Sequence, residues 1–304
     1  MPELPLQDLL RIASIMEEAT EKWGKIASLS LTGGEPFLRR DELYALTDFF
    51  DHCNRFDYYD ILTNGSLITD AEAGYLANMP KLRRVQVSLE GASAILNDDI
   101  RGEGAFEKTL KAIRILRSKG IEVSVMMTLT RKNKDEIEQL ARLLGEEGVA
   151  AMSLERFVPE GNGAGIRDTL LNREEIRDLY QRIHCFTSTD SPIRILLHRP
   201  LFSLVAPDDP TMGALCSAGN NALTIMPDGT VYPCRRLPIS IGNILEDGIY
   251  KIWYDSDVLW RLRDSSNLEG KCRDCDLLMQ CRGCRAVAYA VTGNYMAEDP
   301  QCWS

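Results

Sequence analysis

The chain has 304 residues, 44% of them hydrophobic and 26% charged, with a net charge of −10. This is the composition of an ordinary globular protein, long enough to bury one large core or two smaller ones. The acidity argues against non-specific binding to nucleic acid or to an anionic membrane surface, and no apolar run approaches the roughly 18–20 residues that span a bilayer.

The start, Met1-Pro2-Glu3-Leu4-Pro5, has neither the basic cluster nor the apolar stretch of a signal peptide, so a cytoplasmic location is expected. Residues 6–20 read as an amphipathic helix, with Leu9, Leu10, Ile12, Ala13 and Ile15 near helical spacing. Residues 26–31 read as a short strand ended by Thr32-Gly33-Gly34-Glu35-Pro36, and 41–50 as a helix. A strand over 58–62 closes on Asn64-Gly65, and a helix over 70–77 follows. The strand over 84–89 runs into Glu90-Gly91, and the helix over 106–117 is closed by Lys119-Gly120. A strand over 121–129, a helix over 135–144 and a strand over 149–157 complete the series.

Repeated alternation of this kind implies an α/β fold, a parallel sheet with helices outside it. An open doubly wound sheet and a partial barrel both fit. In either, ligands gather at the C-terminal ends of the strands. The turns at Gly33-Gly34-Glu35, Thr63-Asn64-Gly65, Ser88 to Gly91 and Glu160-Gly161 lie there. Residues 161–169 read as a linker. Asn172, with Glu175 three residues on, reads as a capping box that opens a helix, and 193–197 as a further strand. From about Pro207 the sequence turns to Cys, Gly, Asp and Arg, which places a domain boundary there.

Cys53 and Cys185 stand alone, whereas Cys216, Cys234, Cys272, Cys275, Cys281, Cys284 and Cys302 all fall in the last 89 residues. Cytoplasmic thiols stay reduced, so clustering points to metal rather than to disulfides. Pro227-Asp228-Gly229 predicts a β-hairpin between residues 222–226 and 230–232, which would bring Cys216 and Cys234 together. Seven thiolates are more than one zinc takes and one fewer than two zincs take. Cuboidal iron–sulfur clusters take four, or three with an open iron. Arg235, Arg236, Lys271, Arg273, Arg282 and Arg285 adjoin the cysteines and would offset cluster charge. Two iron–sulfur clusters are the favoured reading, with zinc and free thiols as alternatives.

The spacing Cys216-x12-Gly229-x4-Cys234, Cys272-x2-Cys275-x5-Cys281-x2-Cys284, Cys302 resembles the SPASM domain of radical S-adenosylmethionine enzymes. The usual array has three residues between its fifth and sixth cysteines. The two found here resemble the branch that modifies tetrapyrroles and some cofactor or peptide maturases. Gly33-Gly34-Glu35-Pro36 resembles the family's second-strand motif, Thr63-Asn64-Gly65 its third-strand turn, Ser88-Leu89-Glu90-Gly91 its Ser-x-Asp-Gly, and Arg101-Gly102 its downstream Arg-Gly. Glu90 stands where Asp is usual.

The resemblance implies a partial (β/α)6 TIM-like barrel over residues 1–165, lacking its first strand. A bridging helix and strand over 166–206 and a small Cys-rich α+β SPASM domain over 207–304 would follow. It implies S-adenosylmethionine bound through Gly33, Gly34, Glu35, Pro36, Asn64, Ser88, Glu90 and Arg101. It also implies two auxiliary [4Fe–4S] clusters. Cys216, Cys234 and Cys284 would hold the first, with an open or non-cysteine fourth site, because residues 210–215 contain no cysteine. Cys272, Cys275, Cys281 and Cys302 would hold the second. The expected partners are a small-molecule substrate (a tetrapyrrole or cofactor precursor) or a peptide, and an electron donor such as ferredoxin or flavodoxin, with no nucleic acid and no membrane.

The family's Cys-x3-Cys-x2-Cys motif, which holds a third [4Fe–4S] cluster, is not among these residues. The expectation is that strand one and its loop precede this chain in a longer protein, and that the chain as given does not generate radicals. The rival is a non-catalytic iron–sulfur electron-transfer or substrate-binding protein. His52-Cys53, His184-Cys185 and Met126-Met127 read as packing residues, Asp208 and Asp209 as solvated loop acids, and Trp303 as a shield for a cluster. His198 is a candidate for facing a substrate cavity.

Overall fold

The structure is a computed structural model that describes residues 3–197, 199–209 and 211–304. His198 lies outside the described residues.

Helix α1 (Leu6–Lys22) buries Ile12, Ala13 and Ala19, spaced along one face of its amphipathic stripe. Then come β1 (Ala27–Leu31), α2 (Arg40–His52), β2 (Phe56–Thr63), α3 (Asp70–Leu76), β3 (Leu82–Ser88), α4 (Ala94–Arg101), α5 (Ala105–Ser118), β4 (Val123–Leu129), α6 (Ile137–Glu146) and β5 (Ala151–Arg156). Helix α7 (Arg173–Thr189) leads to β6 (Arg194–Leu196). Asn172 and Glu175 close the expected capping box at its start, each side chain accepting the other's backbone N–H at 2.8 Å.

The six strands form one sheet in the order β1-β2-β3-β4-β5-β6, and every neighbouring pair is parallel. A doubly wound sheet reverses its strand order at a switch point. This one never does, so the strands follow the sequential order of a partial barrel. One continuous core runs from Ala13 through the strands and α5–α7 to Phe202. Because strand side chains alternate, Met127 is fully buried whereas Met126 is half-buried and lines a cavity. The packing reading therefore holds only for Met127.

The C-terminal part contains the predicted hairpin, β7 (Thr224–Ile225) and β8 (Val231–Tyr232), paired antiparallel. Asp228 Oδ1 accepts the Thr230 N–H at 3.0 Å, and Gly229 takes a φ of +84°, which only glycine adopts at low cost. Helices α8 (Ile249–Asp255), α9 (Asp257–Arg263) and α10 (Arg285–Thr292) complete the fold. Apolar burial here falls into small groups, such as Val231, Ile244, Ile249 and Ile252 with residues of α1.

Several elements differ from the sequence expectation. Helix α4 is unanticipated: Ser93 caps it, its Oγ accepting the Leu96 N–H at 3.4 Å. The expected linker is a run of 3-10 turns, Gly161–Thr169, tied down where the Arg131 N–H donates to the Thr169 carbonyl. Cys53 packs in the core, but His52 and Cys185 are exposed, since both point off the apolar stripes of their helices. Among the described residues no helix is long and apolar enough to cross a membrane.

Candidate functional site

The strand ends carry the polar turns that the sequence placed there. Thr32, Gly33 and Gly34 are exposed, and a Cβ on either glycine would meet nothing within 4 Å. The turn thus borders open space that a ligand can approach. Glu35 is buried, and its carboxylate is fully engaged. Oε1 accepts from Thr63 Oγ1 at 2.6 Å and from the Phe37 N–H at 3.3 Å, and Oε2 accepts from the Asn64 N–H at 2.8 Å. Glu35 therefore locks the first strand-end turn to the second, and Asn64 is aimed by that lock.

Ser88 closes β3. Behind it Glu90 is buried, with Oε1 on Arg101 Nη2 at 2.6 Å and Oε2 accepting the Thr128 N–H at 2.7 Å. Its own N–H donates to Asn97 Oδ1. Arg101 keeps a buried Nε with no partner, a spare donor at this end of the sheet. The sequence brought Glu90 and Arg101 forward separately; the structure joins them.

The cysteines divide in space. Cys272, Cys275, Cys281 and Cys302 all line one cavity, walled by Leu201, Leu204 and Leu277. Cys281 Sγ accepts the N–H groups of Gly283 at 3.3 Å and Leu201 at 3.4 Å. Burial first, then the negative charge of Asp299, Cys272 and Cys281, pushes the Cys302 thiol up to about 11. Cys216, Cys234 and Cys284 form the other group. Burial, then Cys284 and Cys234, raises the Cys216 thiol. Among the described residues no three His, Cys, Asp or Glu side chains surround a single-ion position. Cys272, Cys275, Cys281 and Cys302 line the wall of a space instead, the donor set that a cuboidal cluster takes.

Of the cations expected near the clustered cysteines, Arg285 is the one that, among the described residues, touches one of their sulfurs, with Nη2 3.9 Å from Cys272 Sγ. Arg273 and Lys271 bind backbone carbonyls, at Leu268 and Ser304. Asp209 turns its carboxylate onto Thr211, whose hydroxyl and N–H hold its pKa below the ordinary value. Trp303 packs edge-on to Tyr180.

Two buried ion-pair networks join the barrel to the cysteine region. Arg156, at the end of β5, pairs with Asp299 at 2.8 Å and donates to Gln301 Oε1 at 2.9 Å. The same Asp299 oxygen, Oδ2, also accepts the Cys284 N–H at 2.7 Å. One carboxylate thus braces β5, the N-terminus of α10 and the segment that carries Cys302. Next to it, Glu155 pairs with Arg199 at 2.5 Å and Arg236 at 3.1 Å. Burial works against the Glu155 charge, but Arg236 and Arg199 outweigh it and hold its pKa low. Sequence reasoning missed both networks. Their signal was a Glu-Arg pair ending an otherwise apolar strand.

Between the strand ends and the hairpin lies a cavity of about 480 Å³, lined by Met126, Thr128, Glu155, Tyr232, Arg235 and Arg236 among others. Its size is that of a small-ligand site.

The radical SAM superfamily profile matches residues 2–144, and that of the SPASM iron–sulfur cluster-binding domain matches residues 216–276. The AdoMet-dependent heme synthase of Methanosarcina barkeri is 32% identical over 295 residues, 90% of this chain and 81% of that protein. The chain belongs to the radical SAM superfamily, in its SPASM-bearing branch. Mycofactocin maturase MftC of Mycolicibacterium smegmatis is 31% identical over 287 residues, 90% of this radical SAM chain and 70% of the relative. In fold, SuiB of Streptococcus suis bound to S-adenosylmethionine superposes with a TM-score of 0.76 at 18% identity, covering 99% of this chain and 71% of SuiB. Native anSMEcpe with bound AdoMet gives 0.72 at 17% identity, covering 96% and 84%. At those identities the likeness is one of fold.

Proposed function

We propose that this radical SAM/SPASM chain is of the maturase type or of the tetrapyrrole- or cofactor-modifying type and carries two auxiliary [4Fe–4S] clusters. The observation that carries the reading is the division of the seven clustered cysteines into two spatial groups, four lining one cavity and Cys216 lying near Cys234 and Cys284. Cys272, Cys275, Cys281 and Cys302 would hold one cluster. Cys216, Cys234 and Cys284 would hold the other, with a fourth position open or filled by a non-cysteine ligand. The domain division proposed is a barrel over 1–165, a bridge over 166–206 and a cluster domain over 207–304.

Gly33, Gly34 and Pro36 would present backbone to the methionine end of S-adenosylmethionine, positioned by Glu35 through its bonds to Thr63 and Asn64. Ser88 and Asn64 would face the cosubstrate from the neighbouring strands. Arg101, held by Glu90, would offer the solvent-facing part of its guanidinium to the carboxylate. In this family the bound cosubstrate, reduced at a third [4Fe–4S] cluster, supplies a 5′-deoxyadenosyl radical. What these residues do is bind, orient and exclude water: Glu155, Arg156 and Arg236 line the cavity, and the Glu155 and Asp299 networks tie the barrel to the cluster domain. A tetrapyrrole or cofactor precursor, or a peptide, would lie in the cavity. A cytoplasmic ferredoxin or flavodoxin would supply electrons.

The radical-forming motif is not among the 304 residues. The expectation is therefore that the chain alone binds S-adenosylmethionine but yields no 5′-deoxyadenosine with dithionite. The chain preceded by a Cys-x3-Cys-x2-Cys segment yields it. Failure of both forms to bind S-adenosylmethionine in equilibrium dialysis would favour the electron-transfer reading.

A further inference from the structure

The cavity wall holds more cation than its carboxylates neutralise. Arg199 and Arg236 share Glu155, and Arg156 is closed off by Asp299 and Gln301. Arg235 is different. Its guanidinium makes one polar contact among the described residues, Nη2 to Met126 Sδ at 3.6 Å, and a thioether is a weak acceptor. Glu160, the other carboxylate in the lining, makes no ion pair with it among the described residues. Arg235 is exposed, yet the space it faces is the cavity between β4, β5 and β8.

A guanidinium does not deprotonate in a protein, so the charge persists and calls for an anion. The planar fork favours a carboxylate, which it can bind through parallel N–H donors. The rest of the lining, Met126, Met226, Phe157 and Tyr232, suits an apolar or aromatic body behind that carboxylate.

We propose that Arg235 is the recognition cation for a carboxylate of the substrate, held over the strand ends with its apolar body against Met126, Met226 and Tyr232. This rests on the cavity being the substrate site of the proposed enzyme. The carboxylate can come from a side chain of a small ring system or from an acidic residue of a peptide. The competing role for Arg235 is as counter-charge to a cluster held by the adjacent Cys234.

The test uses the whole chain, anaerobically reconstituted, and separates these sources. One arm titrates mesoporphyrin IX, which carries free propionates, against its dimethyl ester, by fluorescence. The other titrates N-acetyl-Gly-Glu-Gly-amide against its Gln analogue, by calorimetry. In the arm that reports the true source, Arg235→Gln weakens the acid by about 10- to 100-fold. Arg235→Lys keeps part of the affinity, and the ester or amide analogue is unaffected by either variant. Iron content equal to that of the unsubstituted chain shows that both variants fold. The proposal is overturned if no probe shows Arg235-dependent binding. It is overturned equally if Arg235→Gln leaves every affinity unchanged and shifts only a cluster reduction potential. The S-adenosylmethionine dialysis is a separate measurement, so the enzyme reading can stand while this one falls.

Discussion

The barrel and the cysteine region are stabilised in different ways. The barrel is a six-stranded parallel sheet around one continuous apolar core, with Tyr59, Ile61, Val85, Val87, Val125 and Met127 fully buried. The C-terminal region has two strands of two residues each and small separate apolar groups. Hydrophobic burial grows with contiguous core size. The barrel can therefore hold its shape from packing alone, while the cysteine region depends on its metal and on ion pairs to the barrel. Asp299, clamped onto β5, supplies the second region with part of the hold that contiguous packing supplies the first.

The largest expected effect comes from removing metal. Chelation of the reconstituted protein should abolish amide protection over 216–304 while β2 to β5 keep theirs, because metal binding and folding are coupled in small metallodomains. Uniform loss across both regions in hydrogen exchange would erase the contrast.

Asp299→Asn is next. It leaves Arg156 buried without its counter-charge, which costs about 3–5 kcal/mol. Burial disfavours the Asp299 charge, but Arg156 and the backbone donors prevail and its folded pKa lies below the ordinary value. A depressed carboxylate pKa contributes stability above the unfolded value of about 3.9 and loses it as pH falls through the folded pKa. The gap between wild type and Asp299→Asn in urea titrations should therefore be constant near neutral pH and shrink only below about pH 4.

Glu35→Gln should cost about 1–3 kcal/mol, since one of its oxygens becomes a donor facing donors. It should also weaken S-adenosylmethionine binding in dialysis. Asn172→Ala, which removes the α7 cap from the well-packed barrel side, should cost only about 1 kcal/mol by thermal unfolding.

The same contrast explains what could be read in advance. The alternation of apolar runs and Gly-rich turns gave the strands to within a few residues, because a parallel sheet imposes one pattern on the chain. It also gave the turns at Gly33-Gly34 and Asn64-Gly65; at Gly65 the residue type is set by a φ of +81°. Cysteine spacing carried the array. The choice of barrel over doubly wound sheet was not legible in periodicity, because strand order is a long-range property; the motif resemblance supplied it. Nor was the Arg156–Asp299 pair, whose partners are 143 residues apart. Helix α4 went unread; it contains Asn97 and Asp98, residue types that favour turns. Their side chains bind backbone around the helix instead: Asn97 accepts from the Glu90 N–H, and Asp98 from those of Gly104 and Phe106.

The central claim is that the C-terminal region is organised by two clusters rather than by zinc or by free thiols. Iron and sulfide analysis of the anaerobically reconstituted 304-residue chain tests it most directly. Two cubanes predict about eight irons per chain, falling by about half in Cys281→Ser. Fewer than about six irons, or stoichiometric zinc in their place, would contradict the account.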